Sequence, residues 1–114
     1  MLAPQSSVIT DLLLASAAAT DSTTLSIGVV VDGRVFWGDA HVREEATAAL
    51  ATARRLLDLS TPPIVGQRAG SFRELVERLR PIFPPHGVVP VADAVWGALQ
   101  QALMIAVADT EGRL

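Results

Sequence analysis

The sequence predicts an α+β domain: a three-stranded antiparallel meander followed by a layer of helices. Three observations predict it. The β-rich apolar runs all lie before Ala40, an Asp32-Gly33 dipeptide joins two of them, and helix-period segments fill the rest. At 114 residues the chain has the length of one domain. It has no room for a (β/α)8 barrel, which needs on the order of 200 or more residues.

Ser7 to Leu14 is short and apolar, includes Val8 and Ile9, and reads as the first strand. Ala15 to Thr24 is small and polar and reads as a loop. Leu25 to Val31 and Arg34 to Gly38 flank Asp32-Gly33. A two-residue Asp-Gly connection predicts a type I′ hairpin, because both of its residues tolerate positive φ. That turn sets the register: Val31 faces Arg34, Val29 faces Phe36 and Ile27 faces Gly38. One face then carries Leu25, Ile27, Val29 and Phe36, and the other Val30 with Val35, and Trp37 over Gly28. Both faces are apolar, whereas an antiparallel sheet commonly leaves one face to water. The second face is therefore expected to meet something other than the domain's own helices.

From Glu44 or Glu45 to about Leu59, apolar residues recur at helical spacing, and Pro62-Pro63 is expected to end that helix. Ser71 followed by Glu74 is a capping box, and Pro81 stops the second helix after Arg80. A proline-rich loop leads from Pro81 to Pro90. The last helix, Val91 to about Asp109, is apolar nearly all round and is expected to be the central buried one.

Composition excludes several chemistries. Half of the residues are hydrophobic and 18% are charged, so the chain is able to build a core. A net charge of −3 argues against a phosphate-backbone binder, so no nucleic-acid partner is expected. Cysteine is absent, as are lysine and tyrosine, and all nine basic residues are arginines. Thiolate and Schiff-base chemistry, and the P-loop lysine, go with them. The apolar run 12–14 lacks a preceding basic residue and is interrupted by Asp11, so it makes a poor signal sequence. The run Ala102–Ala108 is far shorter than a membrane span. A cytoplasmic protein with no membrane partner is the expectation.

Asp39, His41, Arg43, Glu44 and Glu45 form the densest polar cluster, directly after a strand. Functionally, they are placed to border a substrate, with His41 or Arg43 meeting a carboxylate. The ordinary alternative is a solvated helix start with Asp39 as its cap. Metal sites want three or four ligands, which Asp39 and His41 alone do not supply. His86 reads as a surface-loop residue. Gly66 to Ser71 precedes a helix and offers an anion its amino end, but lacks the Gly-Lys-Ser/Thr of a P-loop and reads as a linker. Trp37 and Trp96 read as packing residues. Of the two, Trp37 is the better interface candidate, beside Val30 and Val35.

The stretch Val29-Val30-Val31-Asp32-Gly33-Arg34-Val35-Phe36-Trp37-Gly38-Asp39-Ala40 resembles the hairpin of the enolase-superfamily amino-terminal capping domain. Pro63-Ile64-Val65-Gly66-Gln67-Arg68, followed by Phe72 and Glu74, is similar to a segment of the methylaspartate ammonia-lyases. So is the helix Ala94-Val95-Trp96-Gly97-Ala98-Leu99-Gln100-Gln101-Ala102-Leu103. The resemblance spans about Val8 to Arg113 and implies one capping-type domain over residues 1–114. Such enzymes abstract the proton next to a carboxylate and stabilise the enolate on magnesium, with base and metal ligands on a following barrel.

This chain departs from the pattern in several ways: it has no lysine to act as base, and its Ala15–Thr24 loop is short. It ends at Glu111-Gly112-Arg113-Leu114, about where a barrel strand would begin, and it lacks the family's long glycine-rich loop after Gly38-Asp39. The substrate-contacting glutamine of that loop has no counterpart here. The resemblance implies a small, non-catalytic subunit of a split lyase. It would cap a separately encoded (β/α)8-barrel subunit that holds the magnesium, with further assembly of cap–barrel pairs open. Substrate-capping residues would be Asp39, His41, Arg43 and Glu44, and Trp37, Val30 and Val35 would meet the partner. No catalytic or metal-ligating residue and no cofactor falls on this chain. Two other readings stay open: a non-enzymatic binding or assembly module, for instance a homodimer burying the second sheet face, and a piece of a longer enzyme.

Overall fold

The computed structural model describes residues 7–112. Arg113 and Leu114, at the approach to the implied barrel strand, lie outside the described residues, as do the first six. Strands β1 (Ile9–Ala18), β2 (Thr23–Val31) and β3 (Arg34–Val42) form an antiparallel sheet in the order β1-β2-β3. Helices α1 (Ala46–Ile64), α2 (Phe72–Leu79) and α3 (Pro90–Gly112) follow, with a 3-10 turn at Arg80–Ile82. The class is α+β, without a barrel among the described residues.

The hairpin adopts the predicted register, with Val31 opposite Arg34, Val29 opposite Phe36 and Ile27 opposite Gly38. Asp32 and Gly33 take φ of 52° and 76°, the left-handed values that a type I′ turn requires. One face of the sheet is sealed: Leu25, Ile27, Val29 and Val31 are fully buried, and Phe36 and Val42 nearly so. Helix α3 covers β2 and β3 on this face while α1 covers β1. A single layer of helices on a three-stranded sheet thus encloses one core.

Several boundaries differ from the expectation, and β3 runs past Gly38 to Val42, so that Asp39 and His41 lie within the strand and not after it. Strand β1 begins at Ile9 rather than Ser7 and runs through the small residues to Ala18, pairing Ala15 with Ser26 and Ala17 with Thr24. Only 19–22 remain as the turn, closed by the Ala19 N–H donating to the Ser22 carbonyl at 2.9 Å. Backbone pairing, which composition does not display, extends the strand. Helix α1 passes through Pro62 and Pro63 to the fully buried Ile64. The prolines leave the carbonyls of Asp58 and Leu59 without intrahelical partners, and both residues are exposed to water, so the defect costs little. Burying Ile64 carries the helix onward.

Helix α3 is buried along one face and open along the other. Val95, Ala98, Leu99, Ala102, Leu103 and Ala106 are fully buried, whereas Met104 and Ile105 are 56% and 44% exposed. The helix is central, as expected, packing on β2, β3, α1 and α2, but its apolar surface is buried along one face only. Its 23 residues also reach the length and apolarity of a bilayer span, which the run 102–108 alone had not suggested. Half of that apolar window packs inside the domain.

Candidate functional site

The pleat sorts the predicted residues. Along β3, Phe36 and Val42 turn to the core and Gly38 lies against α3, so Val35, Trp37, Asp39 and His41 share the opposite, outer face. On that face Trp37 lies over Gly28, where an added Cβ would sit 3.0 Å from its ring, and Val35 crowds the same spot. Val30 and Leu13 are half-buried beside them, whereas Val35 and Trp37 are 38% and 43% exposed. The outer face is apolar only toward the Asp32-Gly33 turn. Toward the other end it is polar: Ser26 donates to Asp39 Oδ1 at 2.6 Å, and Thr24 Oγ1 and His41 Nδ1 share a hydrogen bond of 2.8 Å. The expectation of two wholly apolar faces is corrected accordingly.

The candidate cluster is therefore divided. Asp39 and His41 belong to the sheet face, in a row with the interface candidates Val35 and Trp37. Arg43 and Glu44 lie beyond the end of β3, where the 19–22 turn and the junction into α1 meet. There they line a cleft of about 450 Å3 with Asp21, Ser22 and Glu45. Two hydrogen bonds hold its walls. Thr23, fully buried, donates its hydroxyl to the Glu44 carbonyl at 2.9 Å. Glu45, not Asp39, caps α1, its carboxylate accepting the Thr47 N–H at 2.6 Å. Hydrogen bonds from Thr47, the side chain first and the backbone second, hold the Glu45 carboxyl below its ordinary range.

Asp39 is also tied to the helical layer. Its N–H, on the sheet edge formed by β3, donates to Gln101 Oε1 at 2.8 Å. Gln100 and Gln101, two polar side chains on an otherwise apolar stretch of helix, are the signal for that contact. Asp21 and Ser22 carry no such signal, because the small residues before them give no sign of the strand pairing that fixes their turn.

Gly66 to Ala69, expected to be a linker, pairs with the start of β1. Ile9 donates to the Gln67 carbonyl at 2.9 Å, and Gly66 donates to the Ile9 carbonyl at 2.8 Å. Part of the β1 edge is closed by this segment. His86 is exposed, as expected, but sits 3.5 Å from Asp93. Trp96 packs against Phe83 with ring centroids 4.7 Å apart.

Chemically, the cleft offers one guanidinium and three carboxylates, of which Glu45 is committed to the helix cap. It is equipped to hold and orient a polar molecule. Among the described residues no three His, Asp or Glu side chains gather as a metal site would need. Comparison with family models, with curated proteins and with solved structures finds no match to this chain.

Proposed function

We propose that this domain is the cap of an enolase-type enzyme. It would seat over the mouth of a (β/α)8 barrel that lies outside these residues, on a separate subunit as the sequence resemblance implies. The observation that carries the reading is the meeting of two loops at one end of the sheet. The 19–22 turn and the β3–α1 junction stand together there, with Arg43 and Glu44 between them. A meander with helices on one face, in the order β-β-β-α-α-α, supports the same reading.

In this reading the barrel supplies the magnesium and the base, and abstraction of an α-proton from an amino-acid or other carboxylate substrate leads to elimination, as in an ammonia-lyase. The cap's own residues close the site, exclude water and hold the distal end of the substrate. Arg43 is suited to a carboxylate, for which a guanidinium presents a planar fork. Excluding water strengthens every charge interaction in the closed site.

The experiment is to assay cap and barrel subunits together and apart, with 3-substituted aspartates as substrates and with magnesium present. Activity should need both, and Arg43→Ala should raise KM about tenfold, the worth of one charge-assisted hydrogen bond. Full activity of the barrel without the cap would overturn the reading. The exposed Val35 and Trp37 favour a second reading, an assembly module that buries its outer sheet face against another copy. Sedimentation of the isolated chain as a concentration-dependent dimer would support that one.

A further inference from the structure

The loop joining α2 to α3 folds back over the first turns of α3 and closes a cavity of about 260 Å3. Its wall is the Phe83–Trp96 pair, whose rings are tilted by 47°, and its rim carries Arg80, His86 and Asp93. The cavity shares no lining residue with the cleft between the 19–22 turn and α1, so a ligand bound in it would owe nothing to the capping role.

What the rim is able to bind depends on what its groups already do. Asp93 is engaged inside the loop: Oδ2 accepts the Gly87 N–H at 2.9 Å, and Oδ1 lies 3.5 Å from His86 Nδ1. Both of its oxygens thereby hold the loop to the helix, and its charge stays at that side of the rim. Arg80 gives only its Nε–H to Glu77, at 3.0 Å. A guanidinium carries five N–H donors, so its terminal nitrogens retain donor capacity. The hydrogen-bonding capacity left at the rim is donating and sits on Arg80, beside two half-buried aromatic rings.

We propose that this cavity binds a small aromatic carboxylate, with its ring against Trp96 and Phe83 and its carboxylate on Arg80. Ring faces accept an offset or edge-on aromatic partner, and the guanidinium fork matches two carboxylate oxygens. The volume is below the roughly 300–1,000 Å3 of sites for drug-sized ligands, which limits the ligand to about one ring.

The test is an amide NMR titration of the whole chain with benzoate, benzylamine and benzyl alcohol as separate probes, followed through the Trp96 indole and residues 80–96. Benzoate should give saturable shifts confined to that region and bind about tenfold tighter than benzylamine or benzyl alcohol. Arg80→Gln, at an exposed position, should weaken benzoate about tenfold and leave the rest of the spectrum unchanged. Equal binding of benzylamine, scattered or unsaturable shifts with benzoate, or unaltered affinity in Arg80→Gln would each overturn the proposal.

Discussion

Gly38 of β3 and Ala98 of α3 touch backbone to backbone: a Cβ built on Gly38 would overlap the Ala98 carbonyl oxygen and crowd the Ala102 nitrogen at 2.9 Å. The glycine is required here by close approach of helix and strand, not by an unusual φ. Its absent side chain lets the alanine-rich face of α3 seat on the sheet.

Gly38→Ala should therefore destabilise the domain by about 3 kcal/mol, because neither contacting atom belongs to a side chain that is able to rotate away. Urea denaturation checks it through the midpoint. Gly97→Ala on the open side of α3, where an added Cβ meets nothing within 4 Å, is the control and should stabilise by about 0.5–1 kcal/mol.

Glu45 makes the start of α1 sensitive to acid. Its carboxyl is held below the ordinary range by Thr47, so the folded state favours the ionised form. The stability this contributes is present above the ordinary glutamate pKa and is lost as pH falls through the lowered folded value. Glu45→Gln should accordingly differ most from the native chain near neutrality. The two unfolding midpoints should converge below the ordinary glutamate range, as followed by circular dichroism against pH.

Arg34 and Asp109 join the hairpin end of β3 to the end of α3, with one guanidinium nitrogen 3.2 and 3.0 Å from the two carboxylate oxygens. Arg34 is half-exposed, so water and salt screen the pair. A double-mutant cycle with Arg34→Gln and Asp109→Asn should give a coupling of about 0.5 kcal/mol, diminished at 1 M salt, where the Debye length is about 3 Å.

Much of this fold was legible in the sequence because a two-residue turn leaves no freedom of register. Once Asp32-Gly33 is placed, the pleat decides which residues of β2 and β3 share a face. The same parity puts Asp39 and His41 on the Trp37 side, a step the sequence already permitted. What it did not display were effects of tertiary contact. Ala15 to Ala18 become strand because β2 pairs with them, and α1 continues through two prolines because Ile64 finds a buried seat. The cleft stayed hidden for the first of these reasons, since a ten-residue loop has no defined place to stand.

Trp37 tests the outer face. It lies over Gly28 and is 43% exposed, so Trp37→Ser should lower stability only modestly. If a barrel subunit covers this face, the same change should weaken association at least about thirtyfold, a hot-spot cost of about 2 kcal/mol. Titration calorimetry of the two subunits reads it directly. An unchanged affinity would place the barrel contact elsewhere on the domain.

Whether this domain caps a barrel is decided by recovering the tagged chain from its native cells and sequencing whatever accompanies it in stoichiometric amount. A cap should bring down a partner of roughly barrel size, carrying a lysine base and three metal-binding carboxylates, whose lyase activity requires the cap. Recovery of the chain by itself, as monomer or homodimer, would refute the capping role.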